Sequence, residues 1–202
     1  MKKMWKRFVS LLLACTLLAG MLPLSASAAS APTDNEWVLA KVTALNDELG
    51  DEEHLYKLDG WAPIPGSDLF VGFYTRSYFS EAEGKVSTTV MFIAPGNGGS
   101  DFTMPNYSGV GELWADSGSV ALHIADGVTG IGSHAFNGMD TLEKVVFQDA
   151  SDLTYVGSYA FNGDNKAQFT DEGNSDAGGD DPTRILDLSH VKKMGENAFY
   201  NC

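Results

Sequence analysis

Four histidines, His54, His123, His134 and His190, are the side chains of this chain best suited to proton transfer or metal binding. None stands in an H-E-x-x-H arrangement, so a helical zinc site of that type is absent. Gly130-Ile131-Gly132-Ser133-His134-Ala135 matches a loose dinucleotide fingerprint. Two sister segments carry Tyr155 and Lys193 where this one carries Gly130, and no βαβ pattern surrounds it, so nucleotide binding is not expected. No G-x-S-x-G element occurs, which removes the hydrolase nucleophile elbow. The segment DEGNSDAGGDD from Asp171 to Asp181 is rich in the oxygen ligands calcium prefers, but it lacks the D-x-[DN]-x-[DN]-G spacing and reads as a solvated acidic loop. No catalytic residue, cofactor or metal is expected. His123 lies between Leu122 and Ile124, and the period of two aims it at the outward face of a strand, as a solvated or ligand-contacting side chain.

The charge balance narrows the class further. The 202 residues carry 13 basic and 27 acidic side chains, a net charge of -14, which argues against nucleic acid as a partner. Residues 1 to 28 combine Lys2, Lys3, Lys6 and Arg7, an apolar run from Phe8 to Leu22, Pro23, and the small-residue site Ala26-Ser27-Ala28. That is the layout of a secretory signal peptide cleaved after Ala28, and the apolar run is shorter than the ~20 residues of a membrane span. The alternative is a lipoprotein signal with Cys15 lipidated, in Leu12-Leu13-Ala14-Cys15. Cleavage after Ala28 leaves nine basic residues, a net charge of -18, and a single cysteine, Cys202. The mature chain then has no internal disulfide, and Cys202 is a free thiol or an intermolecular link.

The elements that position these residues repeat. Ile131-Gly132-Ala135-Phe136, Val156-Gly157-Ala160-Phe161 and Met194-Gly195-Ala198-Phe199 share one pattern: apolar, Gly, two variable residues, Ala-Phe. Short alternating runs precede them, at Leu122/Ile124, Val145/Phe147 and Leu186/Leu188. The first two glycines are 25 residues apart and the next two 38; removing an insertion of about 15 residues restores a leucine-rich-repeat period. Stacking assigns each position a task. The alternating runs form parallel strands, Gly answers a positive φ or a close backbone approach, Ala lets coils approach, and Phe fills each level. The strand residues that alternate with the core are Ala121, His123 and Ala125; Lys144, Val146 and Gln148; Ile185, Asp187 and Ser189. They are expected to line one concave, ligand-binding face.

The phrases GVTGIGSHAFNGM, LTYVGSYAFNG and VKKMGENAFYNC resemble the BspA-like leucine-rich repeats of bacterial surface proteins. TMPNYSG at 103 to 109 and the Trp114 region resemble the lead-in to such an array, so the resemblance covers about residues 103 to 202. Met139 and Asp164 depart from it where the third repeat has Cys202, as does the acidic insertion. The resemblance implies a secreted or cell-surface adhesion or interaction protein, with an extracellular protein or glycan as partner and no particular ligand.

The expected fold is an α+β solenoid. A signal peptide (1–28) precedes a β-rich N-terminal lead-in (29–118), then three repeats (119–202) with the acidic insertion at about 164–183. In the lead-in, Leu69 to Thr75 and Lys85 to Ala94 read as strands around a turn at 81–84, and 95–99 as a loop. Trp37 to Leu49 fits helix or strand equally, and Trp61 and Trp114 are candidates to cover the first coil. The chain stops at Cys202 directly after the third Ala-Phe element, and the expectation is a truncated array. The functional expectation is a non-catalytic interaction module; the alternative is a passive envelope spacer with activity in further C-terminal sequence.

Overall fold

The computed structural model describes residues 29–108, 114, 116–164, 166–173 and 186–202, so the signal segment and Cys15 lie outside the described residues. One helix, α1 (Glu36–Leu49), is followed by β1 (Lys57–Pro63), β2 (Leu69–Ser80), β3 (Gly84–Pro95), β4 (Ser119–Ile124), β5 (Gly130–Ile131), β6 (Lys144–Phe147), β7 (Tyr155–Val156), β8 (Gln168–Asp171) and β9 (Lys193–Met194). Six strands make one sheet in the order β1-β2-β3-β4-β6-β8, and β5-β7-β9 make a second. The first three strands of the large sheet pair antiparallel; from β3 onward the pairing is parallel.

The strands expected at Leu69 to Thr75 and Lys85 to Ala94 are present and longer, and Gly84 (φ 75°) closes the turn between them. Their halves away from the turn are buried on both faces, which is why 69–74 and 90–94 read as continuous apolar runs without clean alternation. The ambiguous segment is α1. Asn35 caps it by accepting a hydrogen bond from the Val38 N–H at 3.0 Å, and Gly50 ends it in the left-handed region at φ 59°. With Val38 buried beside Tyr74, Val90 and Phe92, and Trp37, Val42 and Leu45 packed around them, α1 lies on one face of the large sheet.

The two parallel ladders stack the repeats coil on coil. In the large sheet Leu122, Val145 and Phe169 are register partners, 23 and 24 residues apart. The third strand is therefore β8, inside the stretch expected to be an insertion, and not the run around Leu186 and Leu188. Extra chain enters after Asp171 and before Leu186, between the third strand and the third Gly-Ala-Phe element; residues 174–185 lie outside the described residues. Leu186 and Leu188 still pack against the main core. In the small sheet Ile131, Val156 and Met194 are register partners.

Backbone contact sets the coil spacing. Gly157 N–H donates to the Ile131 carbonyl and Gly195 N–H to that of Val156, each at 2.8 Å. A Cβ on Gly132 would collide with the Pro105 carbonyl, one on Gly157 with the backbone of Gly132 and Ser133, and one on Gly195 with Gly157 and Ser158. Close approach, not positive φ, is thus what requires glycine at this recurring position. Behind it the rings of Trp114, Phe136, Phe161 and Phe199 form a column with centroids 5.4, 5.2 and 5.3 Å apart. Trp114 occupies the level before the first repeat, with its indole N–H donating to the Ala135 carbonyl at 2.7 Å. The main core runs unbroken from Ile64, Leu69 and Val71 through the ring column to Ala198.

Phe161→Ala should destabilise by about 3–5 kcal/mol, because Phe161 is fully buried between two rings. Phe199→Ala, at a partly buried position, should cost less than half of that. Gly157→Ala should destabilise more than Phe199→Ala although it adds only a methyl, since the obstruction is backbone. Urea unfolding of the three variants ranks them.

Candidate interaction surface

The outward rows of the parallel ladder follow from register. One row is Ala121–Lys144–Gln168 and the next is His123–Val146–Thr170. The structure brings Ala121, His123, Lys144 and Val146 together as the alternation requires, but they are not uniformly open. Lys144 is exposed and Ala121 half-buried, whereas His123 and Val146 are buried at 4% and 1% exposure. The expectation that His123 faces solvent is corrected. α1 crosses this face, and His123 stacks on Phe92 (centroids 4.8 Å, 20°) with the Trp37 ring 5.9 Å away.

Ala125 and Gln148 lie just past the strand ends. Ala125 is buried and its N–H donates to the Ile93 carbonyl at 2.9 Å. Gln148 is half-buried, and its Oε1 accepts from the Asp126 N–H at 3.2 Å. Asp187 and Ser189 are not on a strand. Asp187 Oδ1 accepts from the Ser189 N–H at 2.8 Å, the same turn that Asp149 and Ser151 make one coil earlier. Ile185 lies outside the described residues. Gln168 and Thr170 take the third-coil places, signalled in the sequence only by one apolar residue, Phe169, between polar neighbours.

Glu172, directly after β8, ties the N-terminal layer to the last coil. Its carboxylate accepts from Trp37 Nε1 at 3.1 Å and pairs with Lys41 Nζ. No sequence pattern connects these residues, which are more than 130 positions apart. Of the acidic stretch only 171–173 are described here; Asp171 is buried, with Oδ1 accepting from the Gly173 N–H at 3.0 Å.

Two buried titratable groups respond to the stacking in opposite senses. Burial, with Lys144 and Lys41 nearby, pushes the His123 imidazole down to about 3, and its Nδ1 has no hydrogen-bond partner among the described residues. Asp164 occupies the place Met139 has in the first coil and Cys202 in the third. Its Oδ1 accepts from the Met139 N–H at 2.9 Å while its Oδ2 is buried without a partner among the described residues. Burial, opposed by that hydrogen bond and reinforced by Asp140, pushes the Asp164 carboxyl up to about 8. The Cys202 thiol donates to the Phe161 carbonyl at 3.0 Å and is pushed up to about 11, chiefly by burial and then by Asp164. This thiol is protonated at neutral pH and a poor nucleophile.

Two parallel ladders, a glycine contact at each coil and a stacked ring column define a coil-stacking repeat protein. Residues 115–174 match the family model described as the BspA type leucine rich repeat region (6 copies). The matched residues run from the turn before β4 to the end of β8, so they contain all three strands of the outward ladder. No curated protein and no solved structure matches the chain.

The two buried groups predict a stability maximum at mildly acidic pH. Asp164 is raised in the folded state, so its favourable share is complete below about pH 4 and is lost as pH rises towards 8. His123 is lowered, so its share is complete above about pH 6.5 and is lost as pH falls towards 3. Asp164→Asn should flatten the alkaline slope and raise stability at pH 8, and His123→Leu should flatten the acid slope. Denaturant midpoints across pH 3 to 9 check both, and wild-type slopes that persist in the variants would reassign them.

Proposed function

We propose that this protein is a secreted or cell-surface interaction module without catalytic activity, built as a short leucine-rich-repeat solenoid with a β-rich N-terminal cap, and that it binds an extracellular protein or glycan. The observation that carries this reading is the parallel ladder of a repeat family suited to protein interaction, ordered so that polar side chains stand in register on its outward face. The accessible part of that face is Lys144 and Gln168, with Thr170 and Gln148 half-buried beside them. Asp187 and Ser189 extend it along the third coil. Ala121, His123, Ala125 and Val146 support the face from beneath α1 and the strand ends. Ile185 belongs to the same proposed face on sequence grounds alone.

Among the described residues no group of three or more His, Cys, Asp or Glu side chains is placed to hold a metal. Among them, too, no helix is long and apolar enough to cross a membrane. The proposed address rests on the n-region, apolar run and A-x-A site at 1–28. The coverage of the sheet by α1 favours one second reading, a passive structural spacer, since it leaves little of the face open.

Two measurements test these readings. The secreted protein should begin at Ala29 by intact mass, and a retained leader or a lipid adduct on Cys15 would overturn the proposed processing. In solid-phase binding to immobilised extracellular-matrix proteins and glycans, Lys144→Glu combined with Gln168→Glu should weaken capture at least about tenfold, the scale of 1.4 kcal/mol. Capture unchanged by the pair removes the sheet-face assignment, and no capture by any surface favours the spacer.

A further inference from the structure

A second surface repeats once per coil, on the turns that carry the Ala-Phe pairs. His134, Tyr159 and Asn197 are equivalent residues there, and all three adopt the left-handed backbone, at φ 58°, 58° and 54°. Four residues further on, the chain needs the same conformation again and supplies Gly138 (φ 75°), Gly163 (φ 89°) and Asn201 (φ 59°). One turn thus contains two left-handed positions. At one of them the first two coils use glycine, which adopts it without strain; at the other they use an imidazole and a phenol. Asparagine and, to a lesser degree, histidine tolerate this region, and a tyrosine there is an outlier. Backbone strain retained for a particular side chain points to a use for that side chain.

The neighbouring groups suggest the use. The His134 and Tyr159 rings lie parallel, with centroids 5.1 Å apart and planes 10° apart. Beside them Asn162 Nδ2 donates to Asn137 Oδ1 at 2.8 Å, and Asn137 Nδ2 lies 3.3 Å from His134 Nδ1. Ser133 and Ser158 precede the two ring residues in the chain, and all six residues are half-buried. The strip holds amide, hydroxyl, imidazole and phenol groups and no aliphatic side chain. It presents no apolar anchor of the kind that dominates protein interfaces. The same groups recur on two successive coils, as the hydroxyls of a repeating polymer recur on successive units. The net charge of -14 disfavours an anionic polymer.

We propose that the strip formed by Ser133, His134, Asn137, Ser158, Tyr159 and Asn162 is a binding site for a neutral polysaccharide, lying along the stacked turns. This rests on the reading of the protein as an interaction module but uses a surface separate from the sheet face. The imidazole, the amides and the serine hydroxyls supply donors and acceptors for successive sugar hydroxyls, beside the Tyr159 hydroxyl, which donates to Glu196 Oε1 at 3.2 Å.

The test is affinity electrophoresis of the full chain in native gels containing hydroxyethyl cellulose, a soluble β-1,3-glucan or dextran. The comparison is His134→Asn combined with Tyr159→Asn, which makes all three coils carry the residue the third already has. Wild type should be retarded by at least one of the three polymers. The double variant should lose the retardation at least about tenfold while keeping the wild-type Tm to within a few degrees, and Ser133→Ala with Ser158→Ala should weaken it without loss of fold. No retardation by any of the three, or retardation unchanged in the variants, overturns the proposal. So does a fall in Tm of more than about 5 °C in the asparagine variant, which would assign the rings to coil stacking. Retardation retained by the Lys144 and Gln168 variant separates this surface from the sheet face. Capture of a matrix protein without any polymer retardation leaves the sheet face standing and removes this strip.

Discussion

The fold depends on how closely one coil can approach the next. At Gly132, Gly157 and Gly195 the backbone of each coil lies where a Cβ would otherwise be, against Pro105, Gly132 and Ser133, or Gly157 and Ser158. That contact holds the small sheet at strand-pairing distance, and the ring column inherits the same spacing. Parallel rings at this separation fill a level completely. Each Phe is then buried by its neighbours and not by its own coil, and the short two-residue strands β5, β7 and β9 survive only because the whole stack fixes them. Residues 103–107 enter the same scheme one level earlier: Met104 N–H bonds to the Gly130 carbonyl, Tyr107 N–H to that of Ser133, and Trp114 stands in the ring column.

Because the stack is rigid and the large sheet continues through it, one layer can cross it. α1 rests on β2, β3 and β4 through Val38, Trp37, Val42 and Leu45 and reaches the end of β8 through Glu172. The helix has acidic Asp47 and Glu48 in its last turn, where the dipole disfavours them, and no basic residue there. Its stability therefore comes from the sheet beneath it more than from its own sequence. The same covering explains His123. A histidine placed between two aliphatic strand neighbours is outward by periodicity, but outward here means under a helix, where a neutral ring stacked on Phe92 is favoured over a charged one.

The repeat itself was legible because its demands are strict. Glycine, alanine and phenylalanine each answer a different steric requirement, and their spacing recurs in three places. The third strand was not legible. Only Phe169 points inward between Gln168 and Thr170, so β8 lacks the two-residue alternation of β4 and β6, while Leu186 and Leu188 imitate it. Those leucines instead fill the turn level: the Val191 N–H bonds to the Leu188 carbonyl as the Leu153 N–H does to that of Ala150. Helix α1 was ambiguous because β-branched Val38, Val42 and Thr43 weaken its helical signal, and its cap, Asn35, also reads as a turn residue. The sheet face was predicted from register alone, and register is silent about a layer contributed by a segment more than 80 residues upstream.

The two outward surfaces of the array are consequently determined by different rules. On the sheet face the strands set which residues are in register, but α1 decides which of them meet solvent, so accessibility falls off towards β3 and is greatest at Lys144 and Gln168. On the turn face the constraint is the left-handed backbone of each turn. A side chain on the sheet face can vary freely only where the helix does not press on it. On the turns it must satisfy a backbone region that excludes most residue types, so its identity carries more information than its exposure. That is why His123, expected to face solvent, lies buried under α1, while His134, read inside a spurious nucleotide fingerprint, stands on a turn where a non-glycine residue needs a reason to be.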